Sequence, residues 1–335
     1  MKRSAASPAR FARRSPVGSS PASADATPIP PTTWHQDRTR SRVVGGGPLV
    51  CVAGGILCIM PHAAMEREPA VAGRFYPSGA GELAGEVASL LAAPPGGRAG
   101  VVPPRHAFGV LSPHAGYVYS GAVAGATFAR VTVPRRVLVL CPNHTGRGQR
   151  VAAWPGGAWR TPLGAVPVDE EMTREILLAG LATPDREAHR LEHALEVQLP
   201  FLQSCRPDLS IAALCLSGLP FSRCQEIGEG LALVAARHQA LVVASSDMSH
   251  YLPAAVAARK DRLALDRILA LDARGLHEVV SREQISMCGF VPATIMVVAA
   301  VAQGARRAEL VRYANSGEVT GDAGSVVGYA GVVLS

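Results

Sequence analysis

Histidines follow three separate apolar runs of the chain, each within a few residues of the point where the run ends. His114 and His144 each come shortly after a proline at such an end, and His250 comes three residues after Asp247. Imidazole nitrogens bind metals, and beside a carboxylate they supply acid–base chemistry. A lone histidine after a strand is more often a capping or hydrogen-bonded loop residue. Three repeats of the pattern instead favour a functional site.

A fourth histidine lies in the segment "RLEHALEVQLPFLQ", residues 190–203. Its leucines have the spacing of an amphipathic helix, which places His193 and Glu196, three residues apart, on one face. The segment lacks the HExxH spacing, and this excludes a zincin-type metalloprotease. The alternative interpretation is an exposed His–Glu pair on a solvated helix face.

Cys288, followed by Gly289, stands where a long apolar helix is predicted to begin. The N-terminus of a helix favours the thiolate, which is the form that binds metals and attacks electrophiles. Cys288 could equally be a core residue, as buried cysteines usually are. The chain has seven cysteines and no CxxC pair, which predicts a reducing compartment and hence a cytoplasmic protein.

The elements that must position these side chains alternate along the chain between short apolar runs and amphipathic segments. This alternation predicts an α/β fold with a central, mostly parallel sheet flanked by helices on both faces. Ligands bind such sheets outside the carboxyl ends of the strands, where the histidines fall. The predicted strands are 107–112, 136–141, 210–216, 240–246, 308–314 and 326–334. The predicted helices are 80–92, 120–130, 169–180, 190–204, 223–238, 257–271 and 287–303.

Residues 1–64 differ in composition from the remainder. The formal net charge of +7 comes almost entirely from this segment, where eight basic side chains face two acidic ones. We interpret residues 1–64 as a disordered extension or as a mis-assigned start, with Met65 as the true one, and residues 65–335 as a single domain. The near-neutral remainder excludes a nucleic-acid groove. The apolar run at 43–60 is short for a membrane span, so no membrane partner is expected.

Six ordered motifs of the chain resemble those of the Memo family, whose bacterial and archaeal members are called AmmeMemoRadiSam system protein B. They are "PHAGYVYSG", "PNHTG", "WRTPLGAVPVD", "EHALEVQLPFLQ", "SSDMSH" and "CGFVP". The resemblance runs from about Gly73 to the C-terminus. It implies a fold similar to that of class III extradiol dioxygenases, with a metal pocket at the strand ends.

The resemblance also implies the roles of individual residues. His114, His144 and Cys288 are the implied metal ligands, and Asp247 and His250 line the same pocket. The histidine of the motif "EHALEVQLPFLQ" corresponds to His193. Asp247, His193 and His250 are then the candidate acid–base residues. Gln198 departs from the pattern, since a human family member has a histidine there. The dioxygenases use two histidines and a carboxylate as ligands, so a cysteine in the third place argues against ring cleavage. The resemblance implies iron, with copper or zinc as alternatives.

Three functions remain open on this basis. The first is a metal-dependent oxidoreductase that acts on an unknown small-molecule substrate. The second is a non-catalytic module that binds metal or a peptide. The third is a zinc hydrolase with Cys288 or a bound water as nucleophile. The family name further implies a radical-SAM protein and an AMMECR-type protein as functional partners.

Overall fold

The computed structural model describes residues 66–92 and 103–335 of the chain. Ten helices lie in these two ranges, and most of them were expected within a few residues of their observed bounds. They are α1 (Ala80–Ala92), α2 (Tyr117–Phe128), α3 (Glu170–Leu178), α4 (Glu187–Arg190), α5 (Leu199–Cys205), α6 (Phe221–His238), α7 (Ala254–Leu269), α8 (Ala273–Arg282), α9 (Phe290–Ala302) and α10 (Gly317–Thr320).

Twelve strands form two sheets in the same part of the chain. The strands are β1 (Glu66–Arg67), β2 (Gly109–Ser112), β3 (Arg136–Pro142), β4 (Val151–Ala153), β5 (Ala158–Thr161), β6 (Gly164–Pro167), β7 (Thr183–Pro184), β8 (Ser210–Leu216), β9 (Leu241–Ser245), β10 (His250–Leu252), β11 (Ala308–Asn315) and β12 (Val326–Leu334). The large sheet has the order β10-β12-β2-β9-β3-β8-β4-β7, with β11 also paired to β12. The small sheet has the order β1-β5-β6.

The centre of the large sheet is parallel, as predicted. Strands β2, β9, β3 and β8 pair in parallel, while the strands at either side add antiparallel pairs. The three strands that precede His114, Asp247 and His144 are therefore direct neighbours. Because parallel neighbours end at the same edge of a sheet, their carboxyl ends meet there.

Each central strand is buried on both faces, which explains its nearly continuous apolar sequence. In β3, Leu138 and Leu140 join one core cluster, while Val137, Val139 and Cys141 join the other. Successive side chains of a strand point to opposite faces, so the two clusters lie on opposite sides of the sheet. Helices α3, α6, α7, α8 and α9 cover the first cluster, and α1, α2 and α5 cover the second. The prediction of helices on both faces is confirmed.

The predicted continuous helix over 190–204 is wrong. The structure has α4, an irregular turn, a single 3-10 turn over Glu196–Gln198, and then α5. Pro200 explains part of the break, since it lacks an N–H and its ring clashes with the carbonyl four residues earlier in a helix. Glu196 is fully buried. The alternative of an exposed His–Glu pair is therefore also wrong.

The sequence analysis missed several other elements. The predicted helix 257–271 corresponds to α7, and a separate helix that was not predicted, α8, follows it. Leu271 adopts a left-handed conformation (φ 57°), and the Asp272 carboxylate caps α8 by accepting a hydrogen bond from Gly275 N at 2.8 Å. The small sheet was not predicted, because its strands of two to four residues are too short to show a pattern.

The predicted extension, residues 1–64, lies outside the residues that the structure describes, and the single-domain interpretation of 65–335 stays a prediction. Within the two described ranges, none of the helices combines the length and apolar character that crossing a bilayer requires.

Candidate metal centre

The site forms where β2, β9 and β3 end side by side. Ser112, the last residue of β2, pairs with Ser245, the last residue of β9. Two residues beyond these ends lie His114 and Asp247, and the main-chain N–H of His114 donates a hydrogen bond to Asp247 Oδ1 at 2.8 Å. His144 follows β3 by the same two residues. The sheet thus fixes the three loops relative to one another.

Three imidazole rings converge at this edge. One ring nitrogen from each of His114, His144 and His193 lies within 4.8 Å of the others. The ring centroids of His144 and His193 are 4.9 Å apart in a stacked arrangement, and those of His114 and His144 are 5.2 Å apart. Among the residues described, this triad is the group of histidine, cysteine and acidic side chains that can hold a metal ion.

Glu192 lies behind two of these rings and is fully buried. Its Oε1 accepts a hydrogen bond from His144 Nδ1 at 2.9 Å and lies 3.4 Å from His193 Nδ1. Its Oε2 accepts the main-chain N–H of His144 at 2.6 Å. Because Nδ1 of His144 carries the proton that it donates, its Nε2 is free to bind a metal. A carboxylate on the far side of a histidine ring is a common feature of metal sites.

The turn that holds His193 depends on a second buried carboxylate. Glu196 accepts hydrogen bonds from the Arg67 guanidinium, the Tyr76 hydroxyl at 2.5 Å and the main-chain N–H of Val71 at 3.0 Å. Arg67 also donates to the carbonyl oxygen of Glu192 at 2.5 Å. The buried ion pair of Arg67 and Glu196 therefore connects the small sheet to the segment that carries Glu192 and His193.

Cys288 directly precedes Gly289 and α9, and it reaches the same edge from the face of the sheet that α9 covers. Its sulfur lies 3.3 Å from His114 Nε2 and accepts a hydrogen bond from Asp247 N, also at 3.3 Å. The close approach needs Gly289, because a Cβ there would lie 2.3 Å from the carbonyl oxygen of Ser245. The structure thus brings Cys288 beside the triad, although its sulfur is outside the group of three mutually close nitrogens.

The thiol of Cys288 does not follow the expectation drawn from its helix N-terminus. Burial and the neighbouring Asp247 carboxylate raise its pKa, which favours the neutral thiol. Desolvation therefore outweighs the helix dipole here. A bound cation would act in the opposite direction, because a coordinating thiol loses its proton.

The three imidazoles differ in their electrostatic settings. Burial lowers the pKa of His114 well below its usual value, and the neighbouring His193 and His144 lower it further. Burial also lowers the pKa of His193. Burial opposes protonation of His144 as well, but the hydrogen bond and charge of Glu192 raise its pKa overall. Neutral imidazole is the form that binds metals. Burial favours this form at all three positions, and its effect prevails at His114 and His193.

Asp247 contacts the loop of His114, and His250 lies three residues further along the chain, on β10. Burial raises the pKa of Asp247 to about 6, although the hydrogen bond from His114 N opposes this shift. His250 Nδ1 lies 2.8 Å from the carbonyl oxygen of Ser286, which can only accept, so Nδ1 carries the proton and Nε2 is free. A carboxyl group that titrates near neutral pH is suited to accept and release a proton.

The donor set fits a transition metal. Three imidazoles with a thiol beside them suit zinc, copper or iron, and they do not suit magnesium or calcium, which prefer oxygen ligands. The orientation of the rings supports this fit, since carboxylate and hydroxyl partners hold the outer Nδ1 atoms of His144 and His114.

The structure brings together five of the six residues singled out from the sequence: His114, His144, His193, Asp247 and Cys288. It groups His193 with the two strand-end histidines, whereas the sequence reading assigned it to acid–base work. His250 lies on β10, where its Nδ1 contacts the carbonyl oxygen of Ser286.

Sequence reasoning missed Glu192, Ser245 and the role of Gln198. Glu192 directly precedes His193 in the chain, which is a usable signal, but its burial depends on tertiary packing. Ser245 lies at the end of a predicted strand like many other serines. Gln198 departs from the family pattern, yet its amide nitrogen donates a hydrogen bond to Ser245 Oγ at 2.9 Å.

Comparison with known proteins agrees with the six motifs. Residues 67–333 match the family model described as Memo-like protein. A MEMO1 family protein of Methanopyrus kandleri is 42% identical over 282 residues, which cover 81% of this chain and 99% of the relative. One from Aquifex aeolicus is 40% identical over 269 residues, covering 80% and 98%. A crystal structure of an uncharacterized Escherichia coli K12 protein aligns over 68% of this chain and 99% of that one, with a TM-score of 0.44 and 16% identity. The family model and the relatives together show that this chain belongs to the Memo family.

Proposed function

We propose that this protein is a metal-dependent oxidoreductase that acts on a small organic substrate, with His114, His144 and His193 holding the ion. The observation that carries the proposal is the convergence of three ring nitrogens within 4.8 Å of one another. Iron is the metal that we propose first, with copper as the alternative. Cys288 is proposed to join the ligands, because its sulfur lies 3.3 Å from His114 Nε2.

A bound iron or copper ion would supply a redox couple and Lewis acidity at this edge of the sheet. The chain's own residues supply the rest of the chemistry. Glu192 orients His144 through the hydrogen bond to Nδ1, and it keeps the ring from turning away. Asp247, with its pKa near 6, holds or accepts a proton at its carboxylate beside the reacting centre. His250 is held through Nδ1 by the carbonyl oxygen of Ser286, which leaves its Nε2 free to accept a hydrogen bond.

A second function is favoured by the same triad. Three histidines that leave a position open are typical of catalytic zinc, as in carbonic anhydrase. A zinc hydrolase would use Asp247 as the proton acceptor for a water molecule.

Family membership and cysteine usage extend the proposal in two respects. We propose that a radical-SAM protein and an AMMECR-type protein are functional partners. We also propose that the protein works in the cytoplasm, since none of the cysteines in the described ranges forms a disulfide.

The test is the identity and redox behaviour of the metal. The full chain is purified without a metal-binding tag under anaerobic conditions, and its metals are quantified by elemental analysis. We expect about one iron or copper ion per chain, with an electron paramagnetic resonance spectrum that changes on exposure to air. Stoichiometric zinc with no redox response would overturn the oxidoreductase and support the hydrolase.

A further inference from the structure

The hydroxyl of Ser245 lies at the centre of a buried hydrogen-bond network behind His114. Its Oγ is 2.8 Å from His114 Nδ1, 2.9 Å from Gln198 Nε2 and 2.6 Å from the carbonyl oxygen of Ala194. Ser245 and Gln198 are fully buried, and His114 is 2% exposed. Within this network, the positions of the protons follow from the chemistry of each partner.

The carbonyl oxygens at the two ends of the network can only accept. Gln198 must therefore direct its amide nitrogen at the carbonyl oxygen of Pro113, 2.9 Å away, and its second N–H reaches Ser245 Oγ. Ser245 has a single proton, and the carbonyl of Ala194 at 2.6 Å requires it. The Ser245 oxygen then accepts from both Gln198 and His114.

This accounting leaves one tautomer for His114. Its Nδ1 must carry the proton, because the Ser245 oxygen has no proton left to donate to it. Its Nε2 must then carry the lone pair. That lone pair faces Cys288, whose thiol can donate to it across the 3.3 Å between Sγ and Nε2. The assignment rests on the Ser245 side of the ring, and the contact with Cys288 is compatible with it.

We propose that Ser245 and Gln198 are positioning residues that fix His114 in the tautomer with Nε2 free for a metal. Ser245 acts on the ring of His114 directly, and Gln198 acts on it through Ser245. The effect on metal affinity rests on the proposed function, whereas the tautomer itself does not. Gln198, where the sequence departs from the family pattern, thus acts on His114 through Ser245.

The chain offers a matched control in Ser112. This serine is also fully buried, pairs with Ser245 across β2 and β9, and lies two residues from His114. Its hydroxyl finds no hydrogen-bond partner in the described part of the chain. Ser112→Ala therefore removes a buried hydroxyl from the same sheet edge without removing a partner of His114.

The experiment compares the metal-free full chain with Ser245→Ala, Ser245→Thr, Gln198→Met and Ser112→Ala. Long-range proton–nitrogen NMR correlation on histidine-labelled protein reports which ring nitrogen of His114 is protonated, and His114→Gln identifies its signals. Zinc titration against a competing chelator then measures metal affinity. Thermal unfolding followed by circular dichroism identifies any variant that fails to fold, and Gln198→Met carries the test if Ser245→Ala does so.

We expect protonated Nδ1 in the unmodified chain, in Ser245→Thr and in Ser112→Ala. In Ser245→Ala, which removes the acceptor of His114 Nδ1, and in Gln198→Met, which frees the Ser245 hydroxyl to turn its proton from Ala194 O towards His114 Nδ1, we expect a mixture of tautomers. In both we expect zinc affinity that is about 10- to 100-fold weaker, as for other outer partners of metal-binding histidines. Protonated Nε2 in the unmodified chain, or an unchanged tautomer in both variants, would overturn the proposal. If the tautomer shifts as expected but no preparation binds zinc, the positioning role stands and the proposed metal function fails.

Discussion

The sulfur of Cys288 lies 3.3 Å from Nε2 of His114, although 174 residues separate the two in sequence. The contact joins the loop after β2 to the start of α9, and Gly289 makes it possible by its approach to the carbonyl of Ser245. An ion held by His114 Nε2 would therefore lie close to this sulfur.

Loading with cobalt(II) tests whether the thiol joins the ligands. We expect a sulfur-to-cobalt charge-transfer absorption band in the unmodified chain and its loss in Cys288→Ser. Cys215→Ser is the matched control, because Cys215 is buried in β8 and belongs to the core. A band that persists in Cys288→Ser would show that the sulfur is not a ligand.

Glu192→Gln should weaken metal binding without removing a ligand. The carboxylate accepts from His144 Nδ1 and N and lies beside His193 Nδ1, so it orients two rings at once. We expect a loss of about 10- to 100-fold in affinity for zinc, measured by competition with a chelator. Glu187→Gln, on an exposed residue paired with Arg190, should leave the affinity unchanged. Equal zinc affinities for Glu192→Gln and Glu187→Gln would show that Glu192 does not support metal binding.

Removing one partner of the Arg67–Glu196 pair should lower the free energy of unfolding more than replacing both partners with leucine. Glu196→Leu leaves the buried guanidinium without its carboxylate and Tyr76 without its acceptor. We expect the free energy of unfolding to fall by about 3–5 kcal/mol, measured by denaturant titration. The double variant Arg67→Leu with Glu196→Leu should recover part of the loss, since no buried charge remains unpaired. A double variant as unstable as the sum of the single ones would contradict this account.

Stability should fall below neutral pH in part because of His189. Burial lowers the pKa of this histidine to about 4. The unfolded chain takes up a proton near pH 6.5 and the folded chain does so only near pH 4, so stability is lost as pH falls between these values. The contribution is on the order of 3 kcal/mol.

His189→Gln checks this contribution, because the amide can still donate to the carbonyl of Ala152 as His189 Nε2 does at 3.2 Å. We expect the variant to lose less stability than the unmodified chain between pH 6.5 and 4, by denaturant unfolding at each pH. Parallel pH profiles for the two proteins would show that His189 is not responsible.

The location of the site could largely be predicted from the sequence, because the site lies where recognisable strands end. His114, His144 and Asp247 follow runs that are buried on both faces, and such runs are easy to recognise and end at one edge. Cys288 was found from its place before an apolar helix, although burial reversed the expected effect on its thiol. His193 was singled out because a helix was predicted around it, and that helix does not exist. Its turn is held by Arg67 and Glu196, which are more than 120 residues apart in the chain and so leave no local pattern. Hydrogen-bond partners such as Ser245 and Glu192 owe their roles to tertiary contacts and leave little trace in local pattern.

The central claim is that His114, His144 and His193 together hold one metal ion. Its most direct test is the zinc stoichiometry and affinity of the full chain compared with His114→Ala, His144→Ala, His193→Ala and a control, His106→Ala. His106 is exposed and precedes β2 at the end opposite His114. We expect one site in the unmodified chain and in the control, and its loss in each of the three triad variants. Full binding by the His193 variant would contradict the triad, and no binding by the unmodified chain would contradict the metal centre itself.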